Sequence, residues 1–422
     1  MRKRGFLSAV SLAVVVLLLI TMAGTAAVAA AAQPVTIKFL NFSSSGANEQ
    51  VLDQMRQEFE KQHPDIKVQI ETIGYGDYFT QLQTRIAGGK APDAYELNYE
   101  NFVTYAKKGV VMDLGSLIRE TGFDTSVLNP NALGAFAVSG QQYGLPASFS
   151  NVLLIYNKDL FDKAKVSYPT ASWTWADVDR AAQKIRALGK DIFGLSQPIQ
   201  FWEFYKMVAQ NGGSILSADK TKFTINSPQN VQTLQVMVDR VRKSNVVPTE
   251  AQLAGMGDWD LFKAGRLGML VTGLWAFPDF KQNVTFNWDV EVEPGNVKKA
   301  THFFSNGLVI NKNTKCSKEA FEWIKFMSAS KEAAMLRVKA GWELPAVTYP
   351  DVLQAYMKDT PPANRKAVFD SLDYLVTPPV IEQFSEMADI VGGHLAAAVA
   401  GVKTPKQALD DAQKELEQKI KL

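Results

Sequence analysis

The sequence predicts an α/β protein whose sheets have parallel cores, flanked by helices and divided between two lobes. Three observations predict it. At 422 residues the chain exceeds one ordinary domain. Its opening part alternates strand-like and helix-like patterns in the order β-α-β-α-β, which demands a parallel sheet with helices on both faces. A second α/β series begins after residue 150.

Each element has its own signal. Residues 35–40 alternate apolar and polar, the period of a strand. Residues 46–63 follow with Val51, Leu52, Met55 and Phe59 on one helical face, and Pro64 ends that helix. Ile66, Val68 and Ile70 alternate as a second strand. Residues 78–87 read as a helix closed by Gly88 and Gly89, and 94–97 as a third strand. Ligands of such sheets bind beyond the carboxyl ends of the strands. That rule places residues 41–46 and 98–101 at a candidate site.

The stretch 140–166 raises a question. A small polar patch, Ser148-Phe149-Ser150-Asn151, precedes an unbroken apolar run, 152–156, that reads as a strand buried on both faces. Downstream, Thr174 and Asp177 form a capping-box pattern opening a helix to Leu188, with Gly189 as its stop. Ser227-Pro228 opens another helix, with Val231, Leu234, Val238 and Val241 as its apolar stripe. Residues 259–264 read as helix, 267–271 as a buried strand, and 307–311 as another short strand with polar residues before it. Helices at 319–329 and up to Ala340 follow, ended by Gly341, and the tail 388–422 is largely helical.

Composition excludes several classes. Formal charge is +2, and removing Arg2, Lys3 and Arg4 leaves −1, so no basic field attracts nucleic acid. Those three cations precede an uncharged stretch, 6–34, with its apolar density at 13–20. Ala27-Val28-Ala29 then fits the small-x-small cleavage rule, so residues 1–32 are expected to be a signal peptide directing export. The other reading is a retained membrane anchor. No Cys stands near the cleavage position to carry a lipid. Cys316 is the only cysteine, so no internal disulfide forms, and neither a metal site nor a cofactor is expected.

Catalysis lacks a frame. Asp258, Asp260, Glu203 and Glu343 are carboxylates of the right type for glycoside hydrolysis, but no enzyme motif surrounds them. His63, His302 and His394 form neither a triad nor a metal-ligand spacing. Sugar binding needs other parts: aromatic rings for pyranose C–H faces, and paired donors and acceptors for hydroxyls. Loop aromatics beside acids or small residues supply them at Gln200-Phe-Trp202-Glu203, Asp258-Trp259-Asp260, Gly273-Leu-Trp275 and Gly341-Trp342-Glu343, with Tyr75-Gly-Asp-Tyr78 as a further cluster. Trp173, Trp175, Trp288 and Trp323 sit at helix starts or in apolar stripes and read as structural.

Six segments together resemble the extracellular solute-binding proteins of ABC importers, in the maltose-binding-like sugar group: 51–71 (VLDQMRQEFEKQHPDIKVQIE), 88–97 (GGKAPDAYEL), 143–161 (YGLPASFSNVLLIYNKDLF), 261–275 (LFKAGRLGMLVTGLW), 306–327 (NGLVINKNTKCSKEAFEWIKFM) and 341–346 (GWELPA). They follow the family's order and spacing over nearly the whole mature chain. The resemblance implies a type II periplasmic-binding-protein fold. One lobe would hold 35–146 and 308–348, the other 150–304 and 349–422, with hinge crossings at 147–151 and 305–307. It implies a non-catalytic receptor for a carbohydrate, mono- or oligosaccharide, serving a membrane permease as an exported monomer without nucleic acid or cofactor. By family pattern Trp275, after Gly273, is the leading stacking residue, followed by Trp342 with Glu343. Asn41, Ser43 and Ser45 would hydrogen-bond the sugar, Glu49 would cap a hydroxyl, and Phe42 would either join them or point into the core. Asn98 would act from the third strand, and Phe149 and Asn306 from the crossings. Trp202, Glu203, Asp258 and Trp259 complete the set. The same fold binding a glycerol phosphate, polyamine or metal complex, and a secreted glycan-active enzyme, are the alternatives.

Overall fold

The computed structural model describes residues 33–422 apart from 45, 47 and 380. The expected signal at 1–32 and Ser45 lie outside the described residues. Fourteen strands are described: β1 (Val35–Asn41), β2 (Ile66–Thr72), β3 (Ala94–Asn98), β4 (Ala137–Val138), β5 (Gln141–Gln142), β6 (Gly144–Ser150), β7 (Val152–Asn157), β8 (Phe193–Ser196), β9 (Leu267–Gly273), β10 (Trp288–Glu291), β11 (Thr301–His302), β12 (Phe304–Ile310), β13 (Leu344–Pro345) and β14 (Leu375–Val376). A six-stranded sheet runs β13-β6-β12-β3-β1-β2, and a four-stranded sheet runs β10-β7-β9-β8.

The parallel core expected from β-α-β-α-β is present. β1 pairs parallel with β2, Val35 opposite Ile66 through Asn41 opposite Thr72, and parallel with β3. Beyond β3 the sheet becomes mixed, because β12 runs antiparallel to both β3 and β6. The second sheet repeats this, with β8 parallel to β9 and β7 antiparallel to β9 and β10. Helix Glu49–Gln62 buries Leu52, Met55 and Phe59 against the first sheet. Phe59 and Phe39 meet the fully buried Trp323 of helix Ser317–Ala329 edge-on, at centroid distances of 5.2 and 5.7 Å. The Thr174 capping box forms with Asp177, and the helix it opens spans Trp175–Arg186. Trp175 and Trp288 are buried with Trp323, and Trp173 is half-buried.

The polar patch at 148–151 behaves differently from a loose crossover. β6 and β7 form one extended path interrupted at Asn151 alone, and every residue of both is buried. Several polar groups at this border are engaged: Asn151 Nδ2 donates to Val368 O at 2.7 Å, Thr301 Oγ1 donates to Val152 O at 2.6 Å, and Ser305 Oγ donates to Ser148 O at 2.9 Å. Small polar side chains stand here because two buried strands leave one sheet together, and their backbone groups need partners at the border. β12 likewise starts earlier than its apolar run, at Phe304, and carries a register shift between Asn306 and Gly307. That shift falls where Gly307 faces Pro146, which has no N–H to give.

Gly307 is also a packing constraint. A Cβ there would lie 2.4 Å from the Phe136 ring. Gly307→Ala should therefore cost about 1–3 kcal/mol of unfolding free energy by overpacking, read from urea denaturation with an unchanged m-value; wild-type stability would show that the ring moves aside freely.

Candidate functional site

The strand ends of both sheets open onto one cavity of about 500 Å3. From the six-stranded sheet come Ser43, which follows β1, and Asn98, the last residue of β3. From the four-stranded sheet come Val271 and Thr272 of β9, with Trp275 just after it. The paired strands contribute Ser150, Phe304, Ser305 and Asn306. Two further cavities of about 580 and 720 Å3 adjoin it, sharing Tyr75, Gln200 and Trp202 in one case and Pro198, Gln200 and Asp258 in the other.

Eight of the residues expected from the sequence line this cavity: Trp275, Trp202, Glu203, Glu343, Asp258, Asn98, Asn306 and Ser43. Phe304 is the centre of its aromatic wall. Trp275 and Trp202 meet its ring at 5.6 and 6.0 Å, and His302 stacks on it at 4.8 Å with 28° between the planes. Trp275 remains 37% exposed. Gly273 does not line the cavity, but a Cβ on it would fall 2.0 Å from the Trp275 ring. The bare backbone there lets the indole fold back over the strand end.

The other expected residues lie elsewhere, each for a local reason. Asn41 is spent on its own turn: Nδ2 donates to Glu71 O and Thr72 Oγ1, and Oδ1 accepts from Ser44 N and Ser44 Oγ. Glu49 is an exposed first residue of helix Glu49–Gln62, off the cavity. Phe149 falls on the opposite face of β6 from Ser148 and Ser150 and packs into the core. Trp342 is buried in the core with the Arg337 guanidinium 4.1 Å above its ring, while the next residue, Glu343, turns to the cavity. Trp259 packs on Phe280 and donates from Nε1 to Thr272 Oγ1 at 3.3 Å, bracing β9 from behind. Ser45 is outside the described residues.

Glu100 falls within the 98–101 candidate segment and Gln200 within the 200–203 stretch without being singled out; His302, read as an isolated histidine, and Phe304 carried no signal, and all four line the cavity. Phe42 and Tyr75 line it too, joined edge-on at 5.3 Å. Phe42 was open to either reading, and the Glu96 carboxylate fixes it by accepting from Phe42 N and Ser43 N, both at 3.0 Å.

Four carboxylates border the space, and no Lys or Arg is among the lining residues. Glu343 accepts from Ser148 Oγ and, at 3.3 Å, from Asn306 Nδ2. Burial raises its pKa, and Ser148, Arg337 and Asn306 only partly offset this. Asp258 is raised by burial as well. Glu203 goes the other way: burial works against its charge, but Lys206 and His302 outweigh burial and hold it below the usual carboxylate range. Lys206, fully buried, lies 2.5 Å from Glu203 Oε1 and also contacts Glu293, whose pKa burial raises. Glu100 is buried with no hydrogen-bond partner for Oε2, and burial pushes its pKa up to about 7.

Among the described residues, no cluster of His, Cys, Asp and Glu has the makings of a metal site, and no helix is long and apolar enough to cross a membrane.

Residues 43–334 match the family model of the bacterial extracellular solute-binding proteins. An ABC substrate-binding protein from Listeria monocytogenes, solved in complex with cycloalternan, is 48% identical and superposes with a TM-score of 0.88, over 92% of this chain and 99% of that one. The arabinooligosaccharide-binding protein of Bacillus subtilis is 24% identical over 97% of this chain and 98% of its own. An sn-glycerol-3-phosphate-binding periplasmic protein of Pectobacterium atrosepticum is 24% identical over 84% of each.

A carboxyl group whose folded pKa stands near 7, above its unfolded value, favours the folded state only while protonated, so its contribution is lost as pH rises from about 4.5 to 7. Glu100→Gln should therefore gain roughly 1–3 kcal/mol over the wild type at pH 8 and little at pH 4. Thermal melts of both proteins across that range check it; a pH-independent difference would place the Glu100 pKa near the ordinary value.

Proposed function

Because this chain belongs to the bacterial extracellular solute-binding protein family, we propose that it is the exported receptor of an ABC importer, holding a neutral carbohydrate of one or more rings between two lobes and delivering it to the membrane permease. The wall chemistry carries this reading. Trp202, Trp275 and Phe304 offer ring faces, while Asn98, Asn306 and four carboxylates offer donors and acceptors for hydroxyls. A phosphate needs Arg or Lys, and neither lines the cavity, so the glycerol phosphate named for the Pectobacterium relative is disfavoured here. The cycloalternan in the Listeria complex makes an oligosaccharide the ligand to try first. The adjoining cavities support a ligand of several rings.

We divide the chain at the paired strands, with 35–146 and 308–348 in one lobe and 150–304 and 349–422 in the other. Segments 147–151 and 305–307 then act as hinges. A ligand touching both walls favours the closed arrangement by its extra contacts there. The protein works as a monomer and performs no chemistry on its ligand, in keeping with relatives that are binding proteins.

A thermal-shift screen tests this, since a ligand that binds only the folded state raises Tm. Cycloalternan or another neutral oligosaccharide should raise it; a shift given only by phosphorylated or cationic compounds overturns the carbohydrate reading. Trp275→Ala should keep wild-type Tm and weaken binding of the active saccharide about tenfold, or about 1.4 kcal/mol, by calorimetry. Unchanged affinity would remove that indole from the site.

A further inference from the structure

We propose that His302 binds ligand in this cavity, its Nε2–H standing beside the Glu203 carboxylate as a donor–acceptor pair that grips one sugar hydroxyl, an assignment that rests on the carbohydrate reading above. His302 is 2% exposed yet lines the cavity together with Glu203. Its Nδ1 lies 2.7 Å from the Tyr205 hydroxyl. Among the described residues that hydroxyl has no other hydrogen-bond partner. If Nδ1 carried the proton, the buried Tyr205 O–H would have nothing to donate to, a cost of about 1–3 kcal/mol. Tyr205 therefore donates to Nδ1, and the ring proton goes to Nε2.

That leaves Nε2–H in need of an acceptor. Glu203 Oε2 lies 3.7 Å away, too far for a direct hydrogen bond. Glu203 Oε1 is already engaged by Lys206 and by Gln197 Nε2 at 2.6 Å. The Gln197 amide is in turn held by Arg240. A hydroxyl entering from the cavity can donate to Oε2 and accept from Nε2–H at once, satisfying both. A hydroxyl does this because it is donor and acceptor together. The surrounding charges suit that arrangement. Lys206 faces Glu203 from the same helix, Phe201–Gln210, and Glu293 faces Lys206 from beyond β10. Glu100 acts on Tyr205 from helix Tyr99–Lys107. Burial, with Lys206 assisting, holds the His302 pKa down to about 4 against the pull of Glu203, so the ring is neutral at pH 7 with one N–H to place.

Two measurements decide the assignment. Nitrogen-15 NMR of the histidine rings should show His302 neutral at pH 7 with its proton on Nε2, and Tyr205→Phe should disturb that tautomer. A proton on Nδ1, or a cationic ring, overturns the proposal with no sugar present. Calorimetry with cycloalternan then compares variants. His302→Phe keeps a ring on Phe304 but removes the donor, and binding at a temperature where the variant is folded should weaken tenfold or more, with Tm lowered because the Tyr205 hydroxyl loses its acceptor. His302→Gln, which can bring an amide N–H near the Nε2 position, should recover most of that loss. Tyr205→Phe, as a second route should the first variant fold poorly, should weaken binding three- to tenfold. Wild-type affinity in these variants overturns the role of His302 alone, whereas a wild-type protein that binds no saccharide overturns the carbohydrate reading and this assignment with it.

Discussion

The pairing of β6 with β12 is the constraint on which the molecule depends. These two strands run antiparallel in the first sheet, and the path through β6 continues past Asn151 into the second. Ser150, Phe304, Ser305 and Asn306, all on these strands, form part of the cavity wall. Side chains alternate along a strand, so a slip of one residue would turn Phe304 away and bring Phe303 in its place. Fixing that register therefore sets both the joint between the sheets and the aromatic centre of the site. The bulge at Asn306 and Gly307, the missing N–H of Pro146 and the close approach of Phe136 all act on this pair.

Around that frame, the cavity wall and the layer behind it hold several buried ionisable groups. Glu203, Lys206, Glu293 and His302 are each less than a tenth exposed. Removing such charges from water costs more than their mutual attraction returns unless geometry and extra hydrogen bonds compensate. Gln197, Gln210, Tyr205 and Arg240 supply those bonds. An apolar cluster of equal volume would serve folding as well, which points to a cavity that needs fixed polar atoms at fixed places.

Much of this was legible in the sequence, because periodicity reports which face of an element is buried. The first three strands, the Thr174 cap and the Pro228 helix follow from it directly. Trp275 and Glu343 stood out through small or acidic neighbours at strand ends. The cavity residues that the sequence does not single out share a different history. Glu100 follows a strand end by two residues, yet nothing in its neighbours foretells an oxygen left without a partner. His302 reads as an isolated histidine until β11 brings it beside Tyr205, 97 positions earlier in the chain. Trp342 misled for the converse reason: its flanking Gly341 and Glu343 resemble a loop, but a buried Arg337 claims its ring.

Trp275 has one more consequence. Of the indoles described, it alone is more than a third exposed, while the others are buried or half-buried. Its emission therefore starts from a watery environment, and a saccharide laid across it would shift that emission to shorter wavelength. On the proposed reading, that indole would serve as an optical reporter of occupancy of the cavity it lines.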